Sequence, residues 1–231
     1  MCSSDLLKRV DSVKKEQAVL DQFSAVFEGL GKLEGDYTIK LQDNAKPFAV
    51  TTPRRVPIPL LEPVRKELDR MEKMGVISPI QEPTDWCAGM VPVRKKNGQV
   101  RICVDLTRLN ESVKRELHPL PVVEHVLAQL AGAKVFSKLD ANSGFYQIPL
   151  DPKSAKLTTF ITPFGRYYYN RLPFGITSAP EHFHRRISKI LTGVTGTVSM
   201  IDDVLVFGKN QEEHNKCLAV ALRKIQRAWL T

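Results

Sequence analysis

Two adjacent carboxylates, Asp202 and Asp203, lie between the apolar runs Val198-Ser199-Met200-Ile201 and Val204-Leu205-Val206-Phe207. The pattern predicts strand, tight turn, strand, with both acids displayed at the turn. Acidic residues are disfavoured in the middle of a hairpin, and nothing near in sequence neutralises these two. A cation would. Carboxylate oxygens suit Mg²⁺, and paired magnesium ions held by shared carboxylates drive displacement at phosphorus. A third carboxylate, Asp140, ends the run Val135-Phe136-Ser137-Lys138-Leu139-Asp140. Taken alone, the Asp-Asp pair is better explained as turn chemistry, because aspartate bonds nearby backbone N–H groups. The apolar flanks and the rest of the chain reverse that judgement.

The elements that would position these acids follow from periodicity. Residues 6–23 carry apolar positions at Leu6, Val10, Val13 and Leu20, a helical spacing. The glycines of Gly29-Leu30-Gly31-Lys32-Leu33-Glu34-Gly35 lack a Gly-Lys-Ser/Thr ending and a preceding strand, so they read as an ordinary loop. The prolines of residues 46–60 predict an extended arm, with Arg54 and Arg55 adding charge. Val64, Leu68 and Met71 mark one helix face, closed by Gly75. Residues 86–93 and 100–104 read as strands joined by Arg94-Lys95-Lys96-Asn97-Gly98, a basic hairpin tip with an Asn-Gly turn. Val123, Val126, Leu127 and Leu130 predict a further helix face.

A second hairpin is expected over roughly 158–162 and 166–172. Ser178-Ala179-Pro180-Glu181 has capping-box spacing, and Phe183, Ile187, Ile190 and Leu191 supply the buried face of the helix it opens. Leu218, Leu222, Ile225 and Trp229 mark a last helix. Hairpins without regular βαβ alternation give an α+β fold class.

The chain has 231 residues, 42% hydrophobic and 26% charged, enough for a packed core in one large domain or two joined subdomains. A net charge of +9 points to phosphate partners, nucleic acid or an anionic surface; a merely soluble basic surface is the plainer alternative. The four cysteines are scattered without a C-x-x-C pair, which argues against a zinc site or a disulfide framework. No apolar run approaches a transmembrane span, and the start lacks a signal-peptide core. An intracellular setting, cytoplasm or nucleus, with no membrane partner, is expected.

Five ordered segments carry a family resemblance: Asn97 to Asp105; Leu106 to Asn110; Phe136-Ser137-Lys138-Leu139-Asp140 with Ser143-Gly144-Phe145-Tyr146-Gln147-Ile148; Arg171-Leu172-Pro173-Phe174-Gly175-Ile176-Thr177-Ser178-Ala179-Pro180; and Met200-Ile201-Asp202-Asp203. Over about residues 20–230 the chain resembles the reverse transcriptase of gypsy-type long-terminal-repeat retrotransposon polyproteins. The resemblance implies a right-hand polymerase with an antiparallel palm sheet. An N-terminal helix and loop would take 1–44. Fingers would take about 45–135 and 150–172, and palm about 136–149 and 173–231.

It also implies the chemistry, RNA-directed DNA polymerisation by two-magnesium nucleotidyl transfer of dNTPs onto a primer. Asp140, Asp202 and Asp203 would be catalytic and would hold two Mg²⁺, with Mn²⁺ as a substitute; Asp202 ranks above Asp203. Arg101, Lys95 and Lys96 would meet the triphosphate. Phe145 would exclude a ribose 2′-hydroxyl, although on its own it reads as a core phenylalanine on a strand. Phe174 would lie near the incoming nucleotide, and Gly175 would permit close backbone approach. Asp105 reads as a structural ion pair. His182 and His184, two apart on one helix, do not share a face for a metal. One ring of Tyr167-Tyr168-Tyr169 is expected to be buried.

Met200 stands where the family often has tyrosine. The chain stops at Thr231, before the strands and thumb that the resemblance implies, and lacks protease, ribonuclease H and integrase motifs; a polyprotein fragment of poor processivity is the expectation. Expected partners are an RNA or DNA template with primer, dNTPs and sister polyprotein domains. The competing function is a catalytically weak or inactive nucleic-acid-binding remnant of a retroelement.

Overall fold

The computed structural model describes residues 21–115, 123–201 and 203–231. The expected helix over residues 6–23 falls largely outside them. In chain order the elements are α1 (Ile58–Lys73), β1 (Ile77–Pro79), β2 (Ala88–Arg94), β3 (Val100–Val104), α2 (Thr107–Asn110), α3 (Val123–Gln129), β4 (Val135–Asp140), α4 (Pro152–Leu157), β5 (Phe160–Thr162), β6 (Gly165–Tyr169), α5 (Ala179–Leu191), β7 (Thr197–Met200), β8 (Asp203–Gly208) and α6 (Gln211–Arg227). Short 3₁₀ turns occupy Ser24–Phe27 and Gly144–Gln147. The α+β class is as expected. No helix among the described residues is long and apolar enough to cross a membrane.

The chain forms two compact units. One holds the described residues of Met1–Leu33, His118–Gly144 and Pro180–Thr231; the other holds those of Glu34–Leu117 and Phe145–Ala179. In the second unit a five-stranded sheet runs β1-β6-β5-β2-β3. Its hairpins pair antiparallel, but β2 and β5 pair parallel through Ala88↔Phe160 and Gly89↔Ile161, a non-local pairing that the hairpin signals did not carry. Helix α1 starts at Ile58, inside the stretch read as an extended arm: Pro57 and Pro59 stand at its N-terminal edge, where a missing N–H costs nothing. Val64, Leu68 and Met71 are buried on its inner face, and Gly75 takes φ 66° just past its end.

In the first unit a three-stranded antiparallel sheet runs β4-β8-β7. Val204 and Val206 turn inward beneath α6, which buries Leu218, Leu222 and Ile225. Asn210 caps α6 by accepting from the Glu213 N–H at 2.9 Å. Trp229, expected on the buried face, lies beyond the helix end with φ 55° and 72% exposure. Leu127, likewise expected inside, is 61% exposed, while Val126 is buried. Helix α5 buries Phe183, Ile187 and Leu191 as its periodicity requires, and its Ser188 hydroxyl meets Ser199 of β7 at 3.1 Å.

Gly208 joins β8 to α6 where no side chain fits. A Cβ there would stand 2.5 Å from the His214 backbone nitrogen and 2.8 Å from its Cα. Gly208→Ala is expected to cost about 1–3 kcal/mol, because backbone rather than a flexible side chain must move. A lowered thermal midpoint by circular dichroism checks this; an unchanged midpoint would show that α6 can shift without penalty.

Candidate active site

Register fixes the acidic end of the three-stranded sheet. Strands β4 and β8 pair from Val135↔Gly208 to Asp140↔Asp203, so the two carboxylates are directly opposed at the strand ends. Opposed residues of an antiparallel pair project to the same face, with Cβ atoms about 4.5–5.5 Å apart. Phe136, Lys138 and Asp140 occupy the exposed positions of β4. Across from them stand Phe207, Leu205 and Asp203. The opposite face, with Val204 and Val206, is the buried one. Asp140 and Asp203 therefore lie on the open face of the sheet.

Met200 pairs with Asp203, which leaves two residues, 201 and 202, for the β7–β8 connection. Favoured two-residue hairpins need a positive φ at the first of these. Ile201 adopts it, at 57°. For a β-branched residue this is a strained conformation, of order 1–3 kcal/mol, tolerated where surrounding pairing over-determines it. The expected strand, tight turn and strand are present, but Asp203 is the first residue of β8 and not a turn residue, because it pairs with Met200. Asp202 lies outside the described residues.

Like charges directly opposed across a sheet destabilise it. Lys138 offsets this: its Nζ lies 2.8 Å from Asp203 Oδ2, with the lysine side chain 63% and the aspartate 40% exposed. Sequence reasoning saw nothing nearby to neutralise the acids. The missed signal was the period-2 spacing of Lys138 and Asp140, which puts both on one face and the ammonium diagonal to Asp203. The described part of the site is two hard carboxylates at a rigid strand end, with a cation already drawn to them, a donor set that fits Mg²⁺.

The second unit carries the other candidate residues. The β2–β3 hairpin connects through exposed Lys95 and Lys96, and Gly98 supplies the positive φ of 83°. Arg101, on β3 opposite Val93, is exposed, and its Cζ stands 4.8 Å from the centre of the Phe174 ring. Phe174 in turn lies 4.9 Å from Phe145 and 5.0 Å, edge-on, from Tyr146. The structure thus brings Arg101, Phe145 and Phe174 into one stack. It does not join Lys95 and Lys96 to that stack through any contact. Phe145 is 9% exposed and sits on a 3₁₀ turn, not on the strand considered for it.

Burial raises the Tyr169 hydroxyl well above its ordinary pKa and raises that of Tyr146 too. Both rings therefore stay neutral beneath the stack. Tyr169 is the one fully buried ring of the tyrosine triplet. Asp105 forms an ion pair, its Oδ2 2.7 Å from Arg54 Nη2. Hydrogen bonds from Thr107, reinforced by Arg54, hold its carboxyl below the usual range. His182 engages Arg185 at 2.8 Å and Arg186 at 2.9 Å.

Gly175 has φ 104°, a conformation that side chains resist. Asn110 holds the segment around it. Its Nδ2 donates to the Gly175 carbonyl at 2.7 Å, and its Oδ1 accepts from the Thr177 N–H at 3.0 Å. No sequence reading singled out Asn110, because both bonds span more than sixty residues. Asn110→Ala strips one backbone donor and one acceptor of their partners, one exposed and one part-buried, at an expected cost of about 0.5–1.5 kcal/mol. Chemical denaturation checks the loss, and a change below 0.5 kcal/mol would mean that water replaces the amide (about 0.5 kcal/mol is the ordinary scatter of surface changes).

The family model described as "Reverse transcriptase (RNA-dependent DNA polymerase)" matches residues 93–231, more than half of the chain. The "Retrovirus-related Pol polyprotein from transposon opus" of Drosophila melanogaster is 32% identical over 219 residues, covering 91% of this chain and 22% of the polyprotein. The native Prototype Foamy Virus protease-reverse transcriptase superposes with a TM-score of 0.85 at 19% identity, over 96% of this chain and 30% of that one. The foamy viral protease-reverse transcriptase in complex with RNA/DNA hybrid gives 0.83 at 19% identity, over 94% and 30%. The chain spans 13–28% of the length of the curated relatives it matches.

Proposed function

The chain belongs to the reverse transcriptase family, and from that premise we propose that it is the fingers-and-palm part of an RNA-directed DNA polymerase of a gypsy-type retrotransposon. The observation that carries the reading is the opposed pair Asp140 and Asp203 on the open face of β4 and β8. Sheet order supports the division of labour. With fingers at about 45–135 and 150–172 and palm at about 136–149 and 173–231, each sheet falls within one subdomain.

Asp140 and Asp203, together with Asp202, would hold Mg²⁺, which would supply a lowered pKa for a primer 3′-hydroxyl and charge stabilisation of the attacking and leaving oxygens. The chain's own residues do the positioning. The strand pairing fixes the backbone positions from which the two described carboxylates project, so both leave the same sheet end toward the same face. The Arg101 guanidinium, pre-oriented on the Phe174 ring, neutralises the triphosphate of the incoming nucleotide, with Lys95 and Lys96 adding charge from the hairpin tip. The Phe145 ring, backed by Phe174, meets the sugar and excludes a 2′-hydroxyl. Gly175 leaves its backbone open to close approach. The net charge of +9 favours a nucleic-acid template and primer and makes their binding salt-dependent.

Incorporation of labelled dTTP on a poly(rA) template primed with oligo(dT), with Mg²⁺, tests this. Incorporation abolished by EDTA is the expected result. Salt-sensitive binding of the primed template without any incorporation would instead favour a binding remnant.

A further inference from the structure

The ammonium of Lys138 stands where the acidic site needs positive charge. It is two residues from Asp140 on the same face of β4, and its Nζ is 2.8 Å from Asp203 Oδ2. We propose that Lys138 is the resident counter-cation of the acidic site, a positioning residue that a divalent ion must displace from Asp203 before the carboxylates can hold metal. The inference rests on the polymerase reading of Asp140 and Asp203.

Three observations make the exchange reasonable. The opposed carboxylates repel one another, so the site recruits a cation when no metal is bound. The ion pair is open to water, with the lysine side chain 63% and the aspartate 40% exposed, so screening weakens it and favours exchange. Lysine is a compact charge on a long flexible stem, and its head can swing away while the stem stays over the sheet. An arginine at this position would grip the carboxylate with two parallel bonds and yield less readily.

The displaced ammonium has a second consequence. It remains on the open face beside the metal-loaded acids, within reach of the phosphate groups that substrate brings. Lys138 thus screens the like charges of the acids without permanently occupying the oxygens that the metal needs.

Two measurements on the intact chain test this. Mn²⁺ affinity is read by electron paramagnetic resonance for the native chain, Lys138→Met and Lys134→Met; Lys134 immediately precedes β4, at the end away from Asp140, and serves as the control for net charge. Lys138→Met should bind Mn²⁺ roughly two- to fivefold more tightly, the scale of an exposed ion pair, and Lys134→Met should match the native chain. In parallel, lysines are reductively methylated with ¹³C and the Lys138 signal is assigned by its loss in Lys138→Arg. That signal should shift on adding Mg²⁺, over the range in which Mg²⁺ displaces Mn²⁺. Equal or weaker Mn²⁺ binding by Lys138→Met, equal tightening by Lys134→Met, or a Lys138 signal that stays fixed while the metal binds would each overturn the proposal with the metal site intact. No saturable Mn²⁺ binding by native chain or variant would overturn the polymerase reading itself, and this inference with it.

Discussion

Replacing Asp140 with asparagine is expected to lower RNA-templated primer extension by about three orders of magnitude or more, the scale of losing a group that acts as part of a catalytic unit. The fold should survive. Asp140 is exposed at the end of β4, and its backbone pairing with Asp203 does not use the carboxylate. Asparagine keeps the volume and removes one of two opposed negative charges, so stability should hold or rise slightly. The combination is diagnostic: activity falls steeply, the thermal midpoint does not, and affinity for the primed template stays near the native value. A midpoint that collapsed with activity would assign Asp140 to the architecture of the sheet instead.

The second large effect concerns the sugar. Phe145→Val is expected to reduce the preference for deoxyribonucleotides over ribonucleotides by about 10–200-fold, the range available to a steric pocket that gains a few methylene groups of space. The ring is held by Phe174 at 4.9 Å, and Phe174 also carries the Arg101 guanidinium at 4.8 Å. A smaller side chain should leave that platform standing. Single-nucleotide incorporation with dCTP and CTP, compared through kcat/KM, reads the effect. Truncating a residue that is 9% exposed carries its own packing cost of about 1–3 kcal/mol, so the assay belongs at a temperature where both chains are folded. Discrimination unchanged in the folded variant would leave Phe145 as the core phenylalanine that its burial alone suggests.

Local signals read well. The strand-turn-strand at the acidic pair follows from apolar flanks and a short polar interruption, and the structure puts Met200 opposite Asp203. The inner face of α1 follows from i, i+4, i+7 spacing, and Val64, Leu68 and Met71 are all buried. Where local periodicity ran past a helix end or along a short helix it failed. Trp229 fits the spacing of α6, but the helix ends at Arg227 and the indole faces solvent. Leu127 fits the spacing of α3, yet that helix has seven residues and too short an apolar face to bury both Val126 and Leu127.

The candidate site was legible as residue types but not as geometry. Period 2 places Asp140 at a strand end, yet nothing in the sequence says that β4 pairs with β8, some sixty residues later, in the register that opposes Asp140 to Asp203. Period 2 puts Lys138 on the face of Asp140, but its ion pair with Asp203 depends on that register. The Asn110 bonds around Gly175 and the parallel β2–β5 pair are likewise non-local. Motif order supplied what periodicity could not. Phe145 has no local feature to separate it from a core residue, and only its place after Asp140 in an ordered motif suggested a role.

On the proposed function, the carboxylates at the ends of β4 and β8 are expected to support metal-dependent polymerisation. The most direct test is single-turnover addition of one dNTP to a DNA primer on an RNA template, by the native chain, Asp140→Asn and Asp203→Asn, with duplex binding followed by fluorescence anisotropy in the same samples. The prediction is Mg²⁺-dependent addition by the native chain, loss of addition in both variants, and binding preserved in all three. Addition that persists in both variants, or a native chain that binds the duplex and adds nothing at saturating Mg²⁺, would contradict it.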